Sequence, residues 1–165
     1  MRVLSILIAA TLAMLDPAIA SAAARDFQVK AAYLANFTRY IAWPNEVRHQ
    51  LCLVGADEIA TWLEHSKSAI AVKRLEDRSE VDSCTLLFLG RDSTQTRQWL
   101  AAARNKAILT VGEQEGFLQK GGIINLVLRN NTLRFEVSLE NAQHSRLVFS
   151  SRLLALADRT EAAAP

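Results

Sequence analysis

The 165-residue chain lacks the short motifs that carry most enzyme chemistry. It has no G-x-S-x-G turn to expose a nucleophile and no G-x-x-x-x-G-K-S/T loop to cradle phosphates. Its two cysteines are not spaced as C-x-x-C, which removes a thioredoxin-like redox role. The three histidines, His49, His65 and His144, stand far apart with no paired ligand spacing, so packing or solvated roles fit them better than zinc. Basic runs are missing as well. Nineteen basic residues against 17 acidic leave a formal charge of +2, and Arg129, Arg134, Arg146 and Arg152 are scattered without interleaved aromatics, which argues against nucleic acid. There is no internal repeat and no low-complexity linker.

What is present begins with a leader-like N-terminus. Arg2 is followed by the apolar run Val3–Leu15, then Asp16-Pro17 and the small-residue stretch AIASAAA. This layout over residues 1–24 predicts a signal peptide, cleaved after Ala20 or alternatively Ala24, and a periplasmic location. The apolar run is shorter than the ~20 helical residues that span a bilayer, so an uncleaved anchor is the weaker reading. Residues 25–158 then form one domain, and the Ala-rich tail 159–165 is expected to be disordered.

Export gives the cysteines meaning. An oxidising compartment and an even thiol count invite a Cys52–Cys84 disulfide, the alternative being two buried free thiols acting as small hydrophobes.

The stretch VKAAYLANFTRYIAWP predicts a helix in which Val29, Ala32, Tyr33, Asn36, Phe37, Tyr40 and Ile41 share the buried face and Lys30 lies elsewhere. Asp26 would cap its start and Pro44 would stop it, with Trp43-Pro44 locking the turn into the first strand. A buried Asn36 requires a backbone hydrogen bond beneath the helix, because an unpartnered amide costs several kcal/mol. Further on, strand-like segments (HQLCLVGA, AIAVKRLE, CTLLFLG, AILTVGE) alternate with helical ones (DEIATWLEHS, opened by Asp57; DSTQTRQWLAAAR, capped near Asp92 or Ser93). A short helix or turn at EGFLQKGG precedes a hairpin around Asn130-Asn131, and the last two segments read as helical. The pattern predicts an α/β layered sandwich: a largely parallel central sheet flanked by helices, with an antiparallel edge hairpin.

Ligands of such sheets gather at the carboxyl ends of the strands, where this chain places Asp57, Glu58, Asp92 and Glu113. Each acid also stands where a helix begins, so capping explains it better than a metal pocket, and no lysine clearly follows the last parallel strand to complete a phosphoryl-accepting site. Gly121-Gly122 reads as backbone freedom before a strand. No catalytic group, metal or cofactor is expected. A pocket for a small ligand near Gly55, Gly90 and Gly112 is the alternative to a purely protein-binding role.

KAAYLANFTRYIAWP, LCLVGAD, CTLLFLG, the segment from Ile108 to Ala142 and the closing LVFSSRLLALA together resemble the YfiR family of exported bacterial proteins. The resemblance runs from about Val29 to Ala157. Its most specific pieces are Lys30 to Tyr33 with Trp43-Pro44, and Gly116-Phe117 with Gly121-Gly122. It implies a compact α/β protein that tends to dimerise and is not an enzyme. Its role would be to bind the periplasmic sensing domain of an inner-membrane diguanylate cyclase, lowering cyclic di-GMP and biofilm formation, and an outer-membrane lipoprotein can draw it away. Lys30, Tyr33, Asn36, Phe37, Trp43, Pro44, Gly121 and Gly122 would be architectural, and Cys52 and Cys84 match the family's cysteines. The later cysteine pair of some members is missing: Ser150-Ser151 stand there, and no cysteine follows Cys84. For a docking surface, the loop-like EQEGFLQKGG suggests Phe117 and Leu118 as exposed apolar residues rimmed by Glu113 and Lys120, the alternative being that Phe117 is a core plug under the loop.

Overall fold

A computed structural model describes residues 17–66, 68 and 70–161, with side chains from Asp26 onward. Residues 1–16, most of the expected signal peptide, lie outside the described residues. In chain order the elements are α1 (Pro17–Phe37), β1 (Ile41–Ala42), β2 (Gln50–Val54), α2 (Asp57–His65), β3 (Ala71–Arg74), a 3₁₀ segment (Arg78–Ser83), β4 (Leu86–Leu89) and α3 (Thr96–Ala103). They continue with β5 (Leu109–Gly112), β6 (Ile124–Arg129), β7 (Thr132–Ser138), α4 (Leu139–His144), β8 (Val148–Phe149), α5 (Ser151–Leu154) and β9 (Arg159–Glu161). No helix among the described residues is long and apolar enough to cross a membrane.

Seven strands form one sheet in the order β3-β2-β4-β5-β6-β7-β9. The first five are mutually parallel, β7 returns antiparallel to β6, and β9 runs parallel to β7. The layered α/β architecture expected from the alternating segments is therefore present. The hairpin turns at Asn130 (φ 48°) and Asn131 (φ 59°), two left-handed residues in the geometry that matches the twist of paired strands. Apart from this sheet, β1 and β8 pair antiparallel into a two-stranded sheet.

Side chains on the central strands alternate between two cores. Leu86, Phe88, Leu109, Val111, Ile124 and Leu126 face α1 and α2. Leu87 and Leu89 face the other way, toward Trp99, Leu100 and Phe117. Burial on both faces explains why these strands read as continuous apolar runs.

Four expectations are corrected. The helix begins upstream of Asp26, which therefore does not cap it, and it ends at Phe37 rather than at Pro44, so that Ile41 and Ala42 are free to pair with β8. Its buried stripe is Ala31, Leu34 and Phe37 together with Lys30, leaving Asn36 exposed. Two apolar stripes overlap on this helix, and periodicity alone does not say which one meets the sheet. Third, α3 starts after Gln95, which is left-handed (φ 59°) and makes no side-chain cap bond, so neither Asp92 nor Ser93 caps it. Fourth, the tail supplies an edge strand: Arg159–Glu161 pair with β7, while residues 162–165 lie outside the described residues. The physical reason is the buried Glu136 of β7, whose carboxylate accepts from Arg159 at 3.4 Å and from Arg129 at 2.9 Å.

Candidate functional site

The carboxyl edge of the parallel strands, the place of the alternative ligand pocket, is closely packed at its glycines. A Cβ on Gly90 would lie 2.0 Å from the Gly55 carbonyl oxygen, and one on Gly55 would lie 2.8 Å from the Ser93 backbone nitrogen. At Gly112 and Gly122 it would meet the Phe117 ring at 2.3 and 2.1 Å. The glycines bring backbone and ring together, and Gly55, Gly90 and Gly112 line neither the cleft between α3 and α4 nor the grooves along α1 and beside α5. Phe117 is 0 % exposed and Leu118 is 3 % exposed, which corrects their expected role as docking residues. The loop turns inward because two facing glycines make a slot the width of an aromatic ring. Gly121 has a different reason, a left-handed φ of 101° with open space around it.

Two of the four acids at this edge, Glu113 and Asp57, are tied into structure. Glu113 accepts from the Lys30 ammonium at 2.6 Å and from the Arg91 amide at 3.0 Å, and Lys30 also pairs with Asp26 at 2.7 Å. Burial disfavours the Lys30 ammonium, but hydrogen bonds and charge from Asp26 and Glu113 outweigh it and hold its pKa above the ordinary 10.5. Asp57 is the first residue of α2, where its charge favours the helix dipole, while Ala56 occupies the cap position. Glu58 and Asp92 are exposed. No group of three or more potential metal ligands comes together among the described residues.

Sequence reasoning missed Gln114. Its amide donates toward Gly90 O (3.2 Å), Ser93 O (3.0 Å) and Ser93 Oγ (3.0 Å), and its carbonyl accepts from Thr96 Oγ1 at 2.6 Å. One glutamine thus fastens the loop between β4 and α3. Asn141 does the same for the Phe117 turn, donating to Leu118 O at 2.9 Å and Gly122 O at 2.7 Å.

The disulfide joins Cys52 on β2 to Cys84, at the end of the 3₁₀ segment before β4, with Cα atoms 5.7 Å apart. Trp43 donates its indole N–H to Ala107 O at 3.1 Å and packs its ring edge-on to His49, while Pro44 is exposed. Burial pushes the His49 imidazole below the ordinary 6.5. Ser150 caps α5 by accepting from the Leu153 amide at 3.3 Å.

Two open surfaces flank this framework. One is a polar cleft of about 710 Å³ between α3 and α4, bordered by Arg97, Arg104, Lys120, Glu140 and His144 over buried Thr110, Ser138 and Ser145. The other is an apolar groove of about 470 Å³ along α1, where Val29, Ala32, Tyr33, Asn36 and Tyr40 face Phe135, Leu153 and Leu156. Tyr33 donates its hydroxyl to Leu133 O at 3.3 Å and packs edge-on to Phe135, which fixes the groove floor. Val29, Tyr40 and Leu156 are 44 %, 38 % and 66 % exposed. Of the stripe expected against the sheet, Phe37 and Ile41 are buried, whereas Val29, Ala32, Asn36 and Tyr40 face solvent. Neither this exposure nor the contribution of α5 was visible in the sequence, because the groove joins residues some 120 positions apart only through the fold.

Residues 27–158 match the family model described as YfiR/HmsC-like. Among curated proteins none matches the chain. Solved structures share the fold, among them these two. One is a conserved domain protein from Vibrio cholerae O1 biovar El Tor strain N16961 (TM-score 0.58, 9 % identity), which the match covers over 82 % of this chain and 60 % of that one. The other is the ABC domain in complex with L-Trp from Streptococcus pneumoniae (TM-score 0.57, 11 % identity, 79 % of this chain and 60 % of that one). The chain therefore spans about 60 % of the length of each.

Proposed function

Because the chain belongs to the YfiR/HmsC-like family, whose members regulate diguanylate cyclase signalling, we propose that it is an exported periplasmic repressor of a membrane diguanylate cyclase. It binds the periplasmic sensing domain of the cyclase, stabilises the state in which the cytoplasmic catalytic domain is off, and performs no catalysis itself. A binding preference of about 1–3 kcal/mol for that state changes activity roughly 5- to 150-fold, so regulation needs a surface rather than a reaction centre. An outer-membrane lipoprotein competes for the protein, and the free form is a homodimer.

The family match over residues 27–158 carries this reading. Deleting the gene should raise cyclic di-GMP and surface attachment, and the secreted wild-type chain should restore both. N-terminal sequencing of the periplasmic protein should begin near Ser21 or Arg25. Unchanged cyclic di-GMP in every condition where the protein is made would sink the repressor reading.

The polar cleft favours a second reading, a small-ligand sensor without catalytic activity. An organic ligand seen by native mass spectrometry and lost on Arg104→Ala would select it.

A further inference from the structure

Helix α5 separates two apolar grooves. On one side lies the α1 groove, floored by Tyr33 and Phe135. On the other lies a second groove of about 490 Å³, where Leu147, Val148 and Phe149 face Leu139 and Leu154. Val148 and Leu156 are among the most exposed large apolar residues described, at 67 % and 66 %. No carboxylate lines either groove.

Three arginines belong to, or adjoin in sequence, the elements that form this band. Arg39 follows the last turn of α1 beside Tyr40, Arg152 lies within α5, and Arg146 lines the second groove. All three are exposed, and none pairs with a carboxylate among the described residues. The acids that flank these elements in sequence are engaged elsewhere: Asp26 holds Lys30, Asp158 holds Arg129, and Glu140 faces the polar cleft.

Arg146 adds an independent sign. It sits just past α4 at φ 56°, closing a helix end in which the Leu147 amide donates to Ala142 O. Glycine is the favoured residue at such a left-handed position, and an arginine there is strained. Backbone geometry does not call for this side chain, which lines the second groove.

We propose that the two grooves flanking α5 form a single docking band for an apolar segment of a protein partner whose neighbouring residues are carboxylates. Apolar side chains of that segment enter the grooves while its acids meet Arg39, Arg146 and Arg152, an arrangement that steers association and sets register. A second copy of this chain is disfavoured as the occupant, because a two-fold contact through the band would bring the unpaired arginines of both copies to one interface. The inference rests on the repressor reading, in which the partner is a cyclase sensing domain.

Titration calorimetry of the purified secreted chain against the purified periplasmic sensing domains of the host's membrane diguanylate cyclases tests it. The double variant Arg39→Glu/Arg152→Glu should bind at least about tenfold more weakly and with a flatter salt dependence. Leu156→Ser with Val148→Ser should weaken binding without lowering Tm, both residues being exposed. Arg146→Gly should raise Tm and still weaken binding, a combination that a merely structural residue does not produce. If wild type binds while all three variants bind equally well, the docking band is wrong and the repressor reading stands. Variants that change only the sedimentation of the free chain assign the band to a second copy and overturn the proposal. A wild-type chain that binds none of these domains overturns the repressor reading and the band with it.

Discussion

Phe117 shows how one side chain reorganises its surroundings. Its ring occupies the space that side chains at positions 112 and 122 would need, so both must be glycine, and the turn that holds it is fastened by Asn141. Gly122→Ala should therefore destabilise the fold by about 1–3 kcal/mol through overpacking. Phe117→Ala should cost about 3–5 kcal/mol, as for other large buried rings. Urea unfolding of both variants checks this, and a Phe117→Ala protein of wild-type stability would contradict the packing. A loop of glycine, polar residues and one phenylalanine reads equally well as an exposed finger or as an inward plug. The difference lies in the slot between Gly112 and Gly122, which exists only once β5 and the β6 approach are side by side.

At the scale of elements, α1 is held to the sheet by two different kinds of contact. Ala31, Leu34 and Phe37 supply apolar burial, and Lys30 reaches Glu113 at the end of β5. A Lys30→Met variant leaves the Glu113 carboxylate buried without its ammonium. We expect a loss of roughly 2–3 kcal/mol, somewhat below the about 3–5 kcal/mol of fully buried pairs, because Asp26 keeps the cluster open to solvent on one side. Lys30→Met combined with Glu113→Leu should recover most of that loss, since an apolar pair of similar volume replaces a desolvated ion pair. A double-variant cycle by denaturant unfolding measures it; additive losses would show that the pair is not coupled. The helix was legible as a helix from its spacing, but Lys30 looked like a solvent-facing charge. Its burial depends on an acid more than eighty positions away in sequence.

For the molecule as a whole, the Cys52–Cys84 bridge closes a loop of 32 residues across the core opposite α1. In the chain-entropy model such a closure stabilises by about 3–4 kcal/mol, a substantial part of the ~5–15 kcal/mol of an ordinary domain. Cys52→Ser, with Cys84→Ser to avoid a free thiol, should lower Tm by roughly 10 °C. Calorimetry of the oxidised wild type and the double variant gives the comparison, and equal Tm values would mean that the bridge contributes nothing.

The sequence by itself determined the elements and their class. Apolar runs bounded by helical segments specify buried parallel strands, and Asn130-Asn131 specifies a tight hairpin, because strand burial and turn dihedrals are local properties of residue type. It also held enough family-specific spacing to resemble the YfiR family, to which the chain belongs. Only the tertiary structure decided which stripe of α1 is buried, which way Phe117 points, and that Arg159–Glu161 form a strand. Each of these depends on a partner distant in the chain: the sheet under α1, the glycine slot at Phe117, the buried Glu136 beside Arg159. Local sequence encodes what a segment can bury, and the assembled fold selects which of its faces does so.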